Sequence, residues 1–363
     1  MPDSEFTFEP VRNGYRISMC NTKAASLTIP SSHNGKPVTE LHCTDLLGAF
    51  QCQPNLTSVT IPSSITYIGN YTFKNCTSLK SVVIPSSVTA IGNCAFIGCT
   101  ALSSVTIGGG VTSIGASAFS GCSALKSVTM GGAVVSIGKS AFANCSSLQN
   151  ITLPNSLVSI DVEAFAGCSS LRSINLGSSL TGIGASAFRK SGLVNVTIPN
   201  SVTGMGGGAF GECQSLQSVV LSDSMTRIPI RAFEKCTSLN SFRMGKSVAK
   251  ICGSAFAGCR ALKSMTVSGA VKRIEKNAFG ECTSLSSLTI GGSVNFIASN
   301  AFSRCSLTSV KFENPSGWQE PGIRMYVSTD STPSAHAVSD NNLNDPVRAA
   351  QYMMRLRRGD MFK

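Results

Sequence analysis

The stretch LKSVVIPSSVTAIGNCAFIGC, residues 79–99, contains one complete unit of the pattern that decides the fold. Its Leu-x-x-Val-x-Ile segment predicts a short strand, and the Pro-Ser-Ser that follows predicts a turn. A second extended piece follows at 88–91, and the remaining residues are too few for more than a helical or 3-10 turn. Eight small or apolar side chains are predicted to point inward: Leu79, Val82, Ile84, Val88, Ile91, Ala95, Phe96 and Cys99. One unit therefore predicts one coil of a solenoid.

A phenylalanine that follows a small residue marks this unit along most of the chain. It occurs at Phe50, Phe73, Phe96, Phe119, Phe142, Phe165, Phe188, Phe210, Phe233, Phe256, Phe279 and Phe302. The spacing is 23 residues throughout, except for one interval of 22 after Phe188, where a residue is missing from the loop 189–193. Because one coil cannot bury eight apolar side chains alone, successive coils must stack, with strands about 4.8 Å apart.

The full unit is specific enough to suggest a family. Leu102-x-x-Val105-x-Ile107, Val111-Thr112-Ser113-Ile114-Gly115 and Ala118-Phe119-x-x-Cys122 together resemble the BspA-type leucine-rich repeat. The resemblance implies an α/β-type repeat solenoid, a right-handed curved stack of about twelve coils with a parallel β-sheet on one face and short helical or 3-10 turns. It places an N-terminal cap at 1–25, the solenoid at 26–312, and a C-terminal cap with a basic helical tail at 313–363.

The positive charge is concentrated in one part of the chain. The formal net charge is +12, and residues 224–311 carry 13 basic and 3 acidic side chains. The candidate ligand-binding residues are the basic side chains predicted to interrupt the strand face or to stack on consecutive coils: Lys80, Lys126, Arg172, Arg227, Arg243, Lys250, Lys263, Arg273 and Lys311. They suggest an anionic partner, although solvated surface charge is the simpler interpretation. We do not expect nucleic-acid binding, because the repeat phenylalanines point inward and leave no exposed aromatic surface for base stacking.

The outward strand positions form two polar columns. The first is mostly serine, at Ser58, Ser81, Ser104, Ser127, Asn150, Ser173, Asn195, Ser218, Ser241, Ser264, Ser287 and Ser309. The second is largely threonine, including Thr60, Thr106, Thr129, Thr152, Thr197, Thr266 and Thr289. Such columns stabilise β-structure by themselves, and they also form a flat polar face that could bind protein or glycan.

Ten cysteines lie three places after the repeat phenylalanines, at Cys76, Cys99, Cys122, Cys145, Cys168, Cys213, Cys236, Cys259, Cys282 and Cys305. One thiol per coil in a line does not fit a tetrahedral metal site, so we expect small buried side chains and free thiols. A disulfide among Cys20, Cys43 and Cys52 could still pin the cap. Residues 81–125 are uncharged, but polar residues interrupt them too often for a membrane span.

Catalysis is not expected, and no cofactor or metal is predicted. The three histidines, His33, His42 and His336, all lie outside the regular coils, and the many serines and glycines are explained by repeat turns. A short helix over 345–358, with Asp345 as its N-cap, should cover the last coil. A contact between this basic end and a membrane or another anionic surface is the alternative role for it.

The resemblance implies a bacterial surface or secreted adhesion protein that recognises a host protein, matrix protein or glycan. No signal peptide is legible in the first residues, so an intracellular protein-interaction scaffold remains an alternative, as does a structural protein without a dedicated ligand. We expect a monomer.

Overall fold

The computed structural model describes residues 5–20, 22–42, 48–298 and 300–313. The chain divides into two compact units, Met1–Leu193 and Val194–Lys363. The described residues of each unit form a β-solenoid, with about thirteen turns among them. Twelve phenylalanines mark these turns. The thirteenth turn precedes them, because residues 26–28 already form a strand that pairs with the strand at 58–60.

The first unit begins with an antiparallel hairpin of β1 (Phe6–Val11) and β2 (Gly14–Cys20). The first strand of each repeat lies in a six-stranded parallel sheet of β3 (Ser26–Thr28), β6 (Ser58–Thr60), β8 (Ser81–Ile84), β10 (Ser104–Ile107), β12 (Ser127–Met130) and β14 (Asn150–Thr152). The side chains that point outward from the first strands of the repeats form the long-strand face.

Shorter strands form a second parallel ladder in this unit. The two-residue strand β4 (Ser32–His33) pairs antiparallel with β5 (Lys36–Leu41) and lies outside this ladder. The ladder comprises β5, β7 (Tyr67–Ile68), β9 (Ala90–Ile91), β11 (Ser113–Ile114), β13 (Ser136–Ile137), β15 (Ser159–Ile160) and β16 (Gly182–Ile183). Its outward side chains form the short-strand face. The hairpin strand β2 pairs with β5 and so covers the edge of this ladder.

The second unit repeats both ladders. Its long strands are β17 (Asn195–Thr197), β19 (Ser218–Val220) and β21 (Ser241–Arg243) in one sheet, and β23 (Ser264–Val267), β25 (Ser287–Ile290) and β27 (Ser309–Phe312) in another. Its short strands are β18 (Gly204–Met205), β20 (Arg227–Ile228), β22 (Lys250–Ile251), β24 (Arg273–Ile274) and β26 (Phe296–Ile297), of which the last four pair in parallel.

The core is built from the inward side chains that the repeat predicts. All eight predicted inward residues of the coil at 79–99 are at most 2% exposed. The phenylalanines of the first unit form one stack, with ring centroids 5.0–5.4 Å apart and planes within 12° of parallel. The 23-residue spacing therefore aligns identical side chains from coil to coil.

The helical or 3-10 turns expected near the phenylalanines are hydrogen-bonded turns without helix in the described residues. Around most of the repeat phenylalanines, the residues two places before and two places after have left-handed backbone, as at Tyr71 (φ 58°) and Asn75 (φ 56°) around Phe73. An α-helix needs a negative φ throughout, so these two positions interrupt it. The N–H of Phe73 instead donates to the carbonyl of Ala95 in the next coil, at 2.7 Å. The phenylalanine segments thus form a third ladder of hydrogen-bonded turns.

The strand predicted around Ser173 is also absent, since residues 171–176 are not in a strand. Asn175 accepts a hydrogen bond from the N–H of Gly177 through Oδ1, at 3.0 Å, and Gly177 has a φ of 66°. Asparagine side chains that bind the backbone two residues ahead favour a turn over a sheet ladder. The long-strand sheet of the first unit therefore ends at β14.

The cysteine column lies in the core as free thiols. Nine of its members donate Sγ to the carbonyl of the phenylalanine 26 residues earlier, at 3.0–3.2 Å. Burial raises the pKa of Cys76 and of Cys145 to about 12. Cys20 and Cys52 are free as well, while Cys43 lies outside the described residues.

We expect native protein to protect the column from alkylation. Iodoacetamide reacts with the thiolate form of cysteine. Because their pKa is raised, Cys76 and Cys145 stay protonated at neutral pH, and burial keeps the reagent away from them. Brief iodoacetamide treatment followed by mass spectrometry should label the exposed Cys52 and leave Cys76 and Cys145 unlabelled until denaturant is added. Labelling of Cys145 in the folded protein at the rate of Cys52 would contradict this burial.

Candidate interaction surfaces

The structure does not bring the nine candidate basic residues together. Five lie on or beside long strands, three lie on the short-strand face of the second unit, and one lies beside neither. Within the first unit, Lys80 and Lys126 are exposed and immediately precede strands two coils apart, about 10 Å at the usual strand spacing. Arg172 precedes the segment that has no strand. The nine residues therefore form several separate groups.

The long-strand face of the first unit is uncharged and rich in hydroxyl groups. The threonine hydroxyls of Thr60, Thr106, Thr129 and Thr152 are exposed and make no hydrogen bond within the described residues. In the serine column, Ser58 Oγ donates to Ser26 Oγ at 2.9 Å. Most of this face thus keeps its donors and acceptors available to a partner.

The threonines that immediately precede the short strands of the same unit use their hydroxyl groups internally. Thr66, Thr89 and Thr112 each donate Oγ1 to the carbonyl one coil earlier, at 3.1–3.2 Å. Val135 and Val158 continue this column and are 44% and 39% exposed. The hydroxyl groups of these threonines are therefore less available to a ligand than those of the long-strand face.

Arg243 on the second unit is already paired. Its guanidinium lies 3.3 Å from Asp223, which Lys246 also approaches at 3.8 Å. A backbone hydrogen bond from Lys246 and the nearby Arg243 lower the pKa of Asp223. Lys263 and Lys311 are exposed and have no ion pair in the described part of the chain. The predicted anion-binding role of Arg243 is therefore weakened by its own carboxylate partner.

Arg227, Lys250 and Arg273 form what we call the basic column. They are direct register partners on β20, β22 and β24, so the sequence prediction that they stack on consecutive coils is correct in its geometry. Glu275 Oε1 lies 3.0 Å from Lys250 Nζ and 3.3 Å from Arg273 Nε. Arg227 has no ion pair among the described residues.

Two residues that sequence reasoning did not select complete this site. The Arg273 guanidinium stacks 3.9 Å from the ring centroid of Phe296, its register partner on β26. Partial burial raises the pKa of Glu275, but hydrogen bonds from Lys250 and Arg273 outweigh this effect, and the pKa is lowered. The sequence contained a signal for the contact between Arg273 and Phe296, because Phe296 follows Arg273 by one repeat length of 23 residues.

The histidines that fall in the described part are not grouped with other metal-binding side chains. His33 stacks on Phe8 at 3.8 Å between centroids, and His42 lies edge-on to Tyr67 at 6.0 Å. Among the residues that the structure describes, no cluster of His, Cys, Asp or Glu could hold a metal ion. The same residues contain no helix that is long and apolar enough to cross a bilayer. His336 and the predicted C-terminal helix lie outside the described residues.

Comparison with known proteins places this geometry in a family. The BspA type leucine rich repeat region matches in overlapping segments, 47–151, 98–217, 135–263 and 205–317. A search of curated proteins found no match. A leucine-rich repeat protein from Bacteroides ovatus has 29% identity and a TM-score of 0.57, over 84% of this chain and 92% of that one.

A leucine rich cell surface protein from Faecalibacterium prausnitzii has 25% identity and a TM-score of 0.48, over 92% of this chain and 98% of that one. The family model spans well over half of the chain, and the stacked inward residues it describes are those that form the core. This chain belongs to the BspA-type leucine-rich-repeat family.

Proposed function

We propose that this protein is a non-enzymatic binding scaffold of the cell surface, which recognises a protein or glycan through the long-strand face of its first unit. The observation that carries the proposal is the set of exposed threonine hydroxyls that the chain itself leaves without hydrogen bonds. The hydroxyls of Thr66, Thr89 and Thr112, which immediately precede short strands, are instead bonded to backbone carbonyls. Membership of the BspA-type family supports the surface location and an adhesive role.

The spacing of this face suits a repetitive, uncharged partner surface. Neighbouring strands place equivalent hydroxyls about 4.8 Å apart, and alternate residues along a strand lie about 6.7 Å apart. Each threonine offers a donor, an acceptor and a methyl group. Direct register between Thr106 and Thr129 keeps this array regular across coils. Lys80 and Lys126 lie beside it and would contact anionic groups at its margin.

The experiment is an array of matrix proteins and glycans, probed with the protein and with two matched double variants. Thr106→Arg with Thr129→Arg places bulk and charge on the long-strand face, and we expect at least a tenfold loss of signal on the bound features. Val135→Arg with Val158→Arg places the same bulk and charge at exposed positions that precede short strands, and it should keep the signal. Equal loss from both variants, or no bound feature on the array, would contradict the proposal.

A further inference from the structure

The short-strand face of the second unit carries a run of basic side chains that the first unit lacks. In the first unit the outward short-strand position, from β5 onward, is held by Glu40, Tyr67, Ala90, Ser113, Ser136, Ser159 and Gly182. In the second unit the same position holds Arg227, Lys250 and Arg273 on consecutive coils, and then Phe296. Like charges directly opposite each other destabilise a sheet, so this column has an energetic cost that small residues would avoid.

Glu275 offsets only part of that cost. Its carboxylate contacts Lys250 and Arg273, whose side chains remain 43% and 47% exposed. Arg227 is exposed and has no carboxylate partner among the described residues. Lys272, beside Arg273, is exposed as well. Four cations and one carboxylate on adjacent coils leave a local excess of positive charge that an external anion can balance.

We propose that the basic column binds an acidic α-helix of a partner protein, which lies along the column with carboxylates at positions i, i+3 and i+7 and an apolar residue at i+10. The proposal extends the binding function proposed above to a second face and names the partner's chemistry. The carboxylates would pair with Arg227, Lys250 and Arg273, and the apolar residue would cover the Phe296 ring.

The pitch of the solenoid favours a helix over other acidic ligands. Coils about 4.8 Å apart place the four column positions at about 0, 4.8, 9.6 and 14.4 Å. A helix rises 1.5 Å per residue, so its positions i, i+3, i+7 and i+10 lie at about 0, 4.5, 10.5 and 15 Å and share one face. Carboxylates on one side of an extended peptide would be about 6.7 Å apart. Such a peptide would lose register with the basic column within two coils.

The short length of the column also separates a helix from an extended polyanion. The charged positions span only three coils, with Gly204 in the equivalent position before them and Phe296 after them. Duplex DNA gains affinity by neutralising many phosphates along its length, which three coils cannot supply. Two turns of helix, about 11 Å, cover the three charged positions, and a third turn brings an apolar residue to the Phe296 ring.

The test uses two fluorescein-labelled helical peptides of identical composition, titrated by fluorescence anisotropy against the full chain. One carries Glu at i, i+3 and i+7 and Leu at i+10, and the other carries the same residues out of that register. We expect the first to bind at least tenfold more tightly. Equal affinities, or displacement of the first peptide by heparin or duplex DNA at lower concentration, would overturn the proposal.

Protein variants locate the contact. Lys250→Glu should weaken binding of the first peptide at least tenfold, and a peptide with Lys in place of Glu at i+3 should restore it. Arg260→Glu, which makes the same charge change at an exposed site in neither strand ladder, is the matched control and should bind as the parent does. Equal effects of the two substitutions would reject the basic column as the site.

The outcome is independent of the long-strand face. The Thr106→Arg and Thr129→Arg variant should bind the acidic peptide with unchanged affinity. Failure of the array experiment with retained peptide binding would therefore remove the first proposal alone, and the reverse result would remove this one alone.

Discussion

Replacing Phe165 by alanine should lower the free energy of unfolding by about 3–5 kcal/mol, the range found when a fully buried phenylalanine is truncated. The Phe165 ring is 0% exposed and stacks on Phe142 and Phe188, with centroids 5.4 Å away on both sides. Its loss leaves a cavity in the middle of the stack of the first unit. Stability in a solenoid depends on interfaces between neighbouring coils, so two interfaces weaken at once.

Urea denaturation followed by circular dichroism measures this effect. Val83→Ala is the matched control, because Val83 is an aliphatic side chain that is 63% exposed on the same unit. An exposed substitution of this kind changes stability by no more than about 0.5 kcal/mol. A Phe165→Ala variant that unfolds with the parent protein would show that the stacked rings do not form the core.

The shortened coil should be the next most sensitive place. Gly192 lies in the loop that lacks one residue, and a Cβ atom added there would lie 2.1 Å from the carbonyl oxygen of Ser169. The backbone of the preceding coil must then shift, so Gly192→Ala should destabilise the chain by about 1–3 kcal/mol, as overpacking does. Thermal unfolding of the purified variant gives the measurement.

Gly182→Ala is the control for that substitution. Gly182 lies in β16 of the same unit, and an added Cβ would meet no atom within 4 Å. Alanine there should be neutral or stabilise by up to about 1 kcal/mol, because it reduces the freedom of the unfolded chain. If both variants melt at the same temperature, the close approach at Gly192 does not limit the fold.

The sequence by itself determined the repeat, the inward side chains and the family. Periodicity determines which residues face the core, because each coil repeats the same directions every 23 residues. Val82 and Phe96 could be assigned to the interior from this pattern alone, and both are buried. The same spacing also places Arg227, Lys250 and Arg273 on consecutive coils.

Only the tertiary structure decided the local backbone and the partners of the polar groups. The left-handed residues beside the phenylalanines are of many types, including Tyr71 and Glu163, so residue type at these positions did not predict the conformation. Thr66 and Thr60 have similar sequence surroundings, yet one hydroxyl is bonded to a carbonyl and the other is not. Glu275 became the partner of Lys250 because stacking brings neighbouring coils within hydrogen-bond distance. These contacts join residues about one repeat apart, and their geometry depends on how the coils stack.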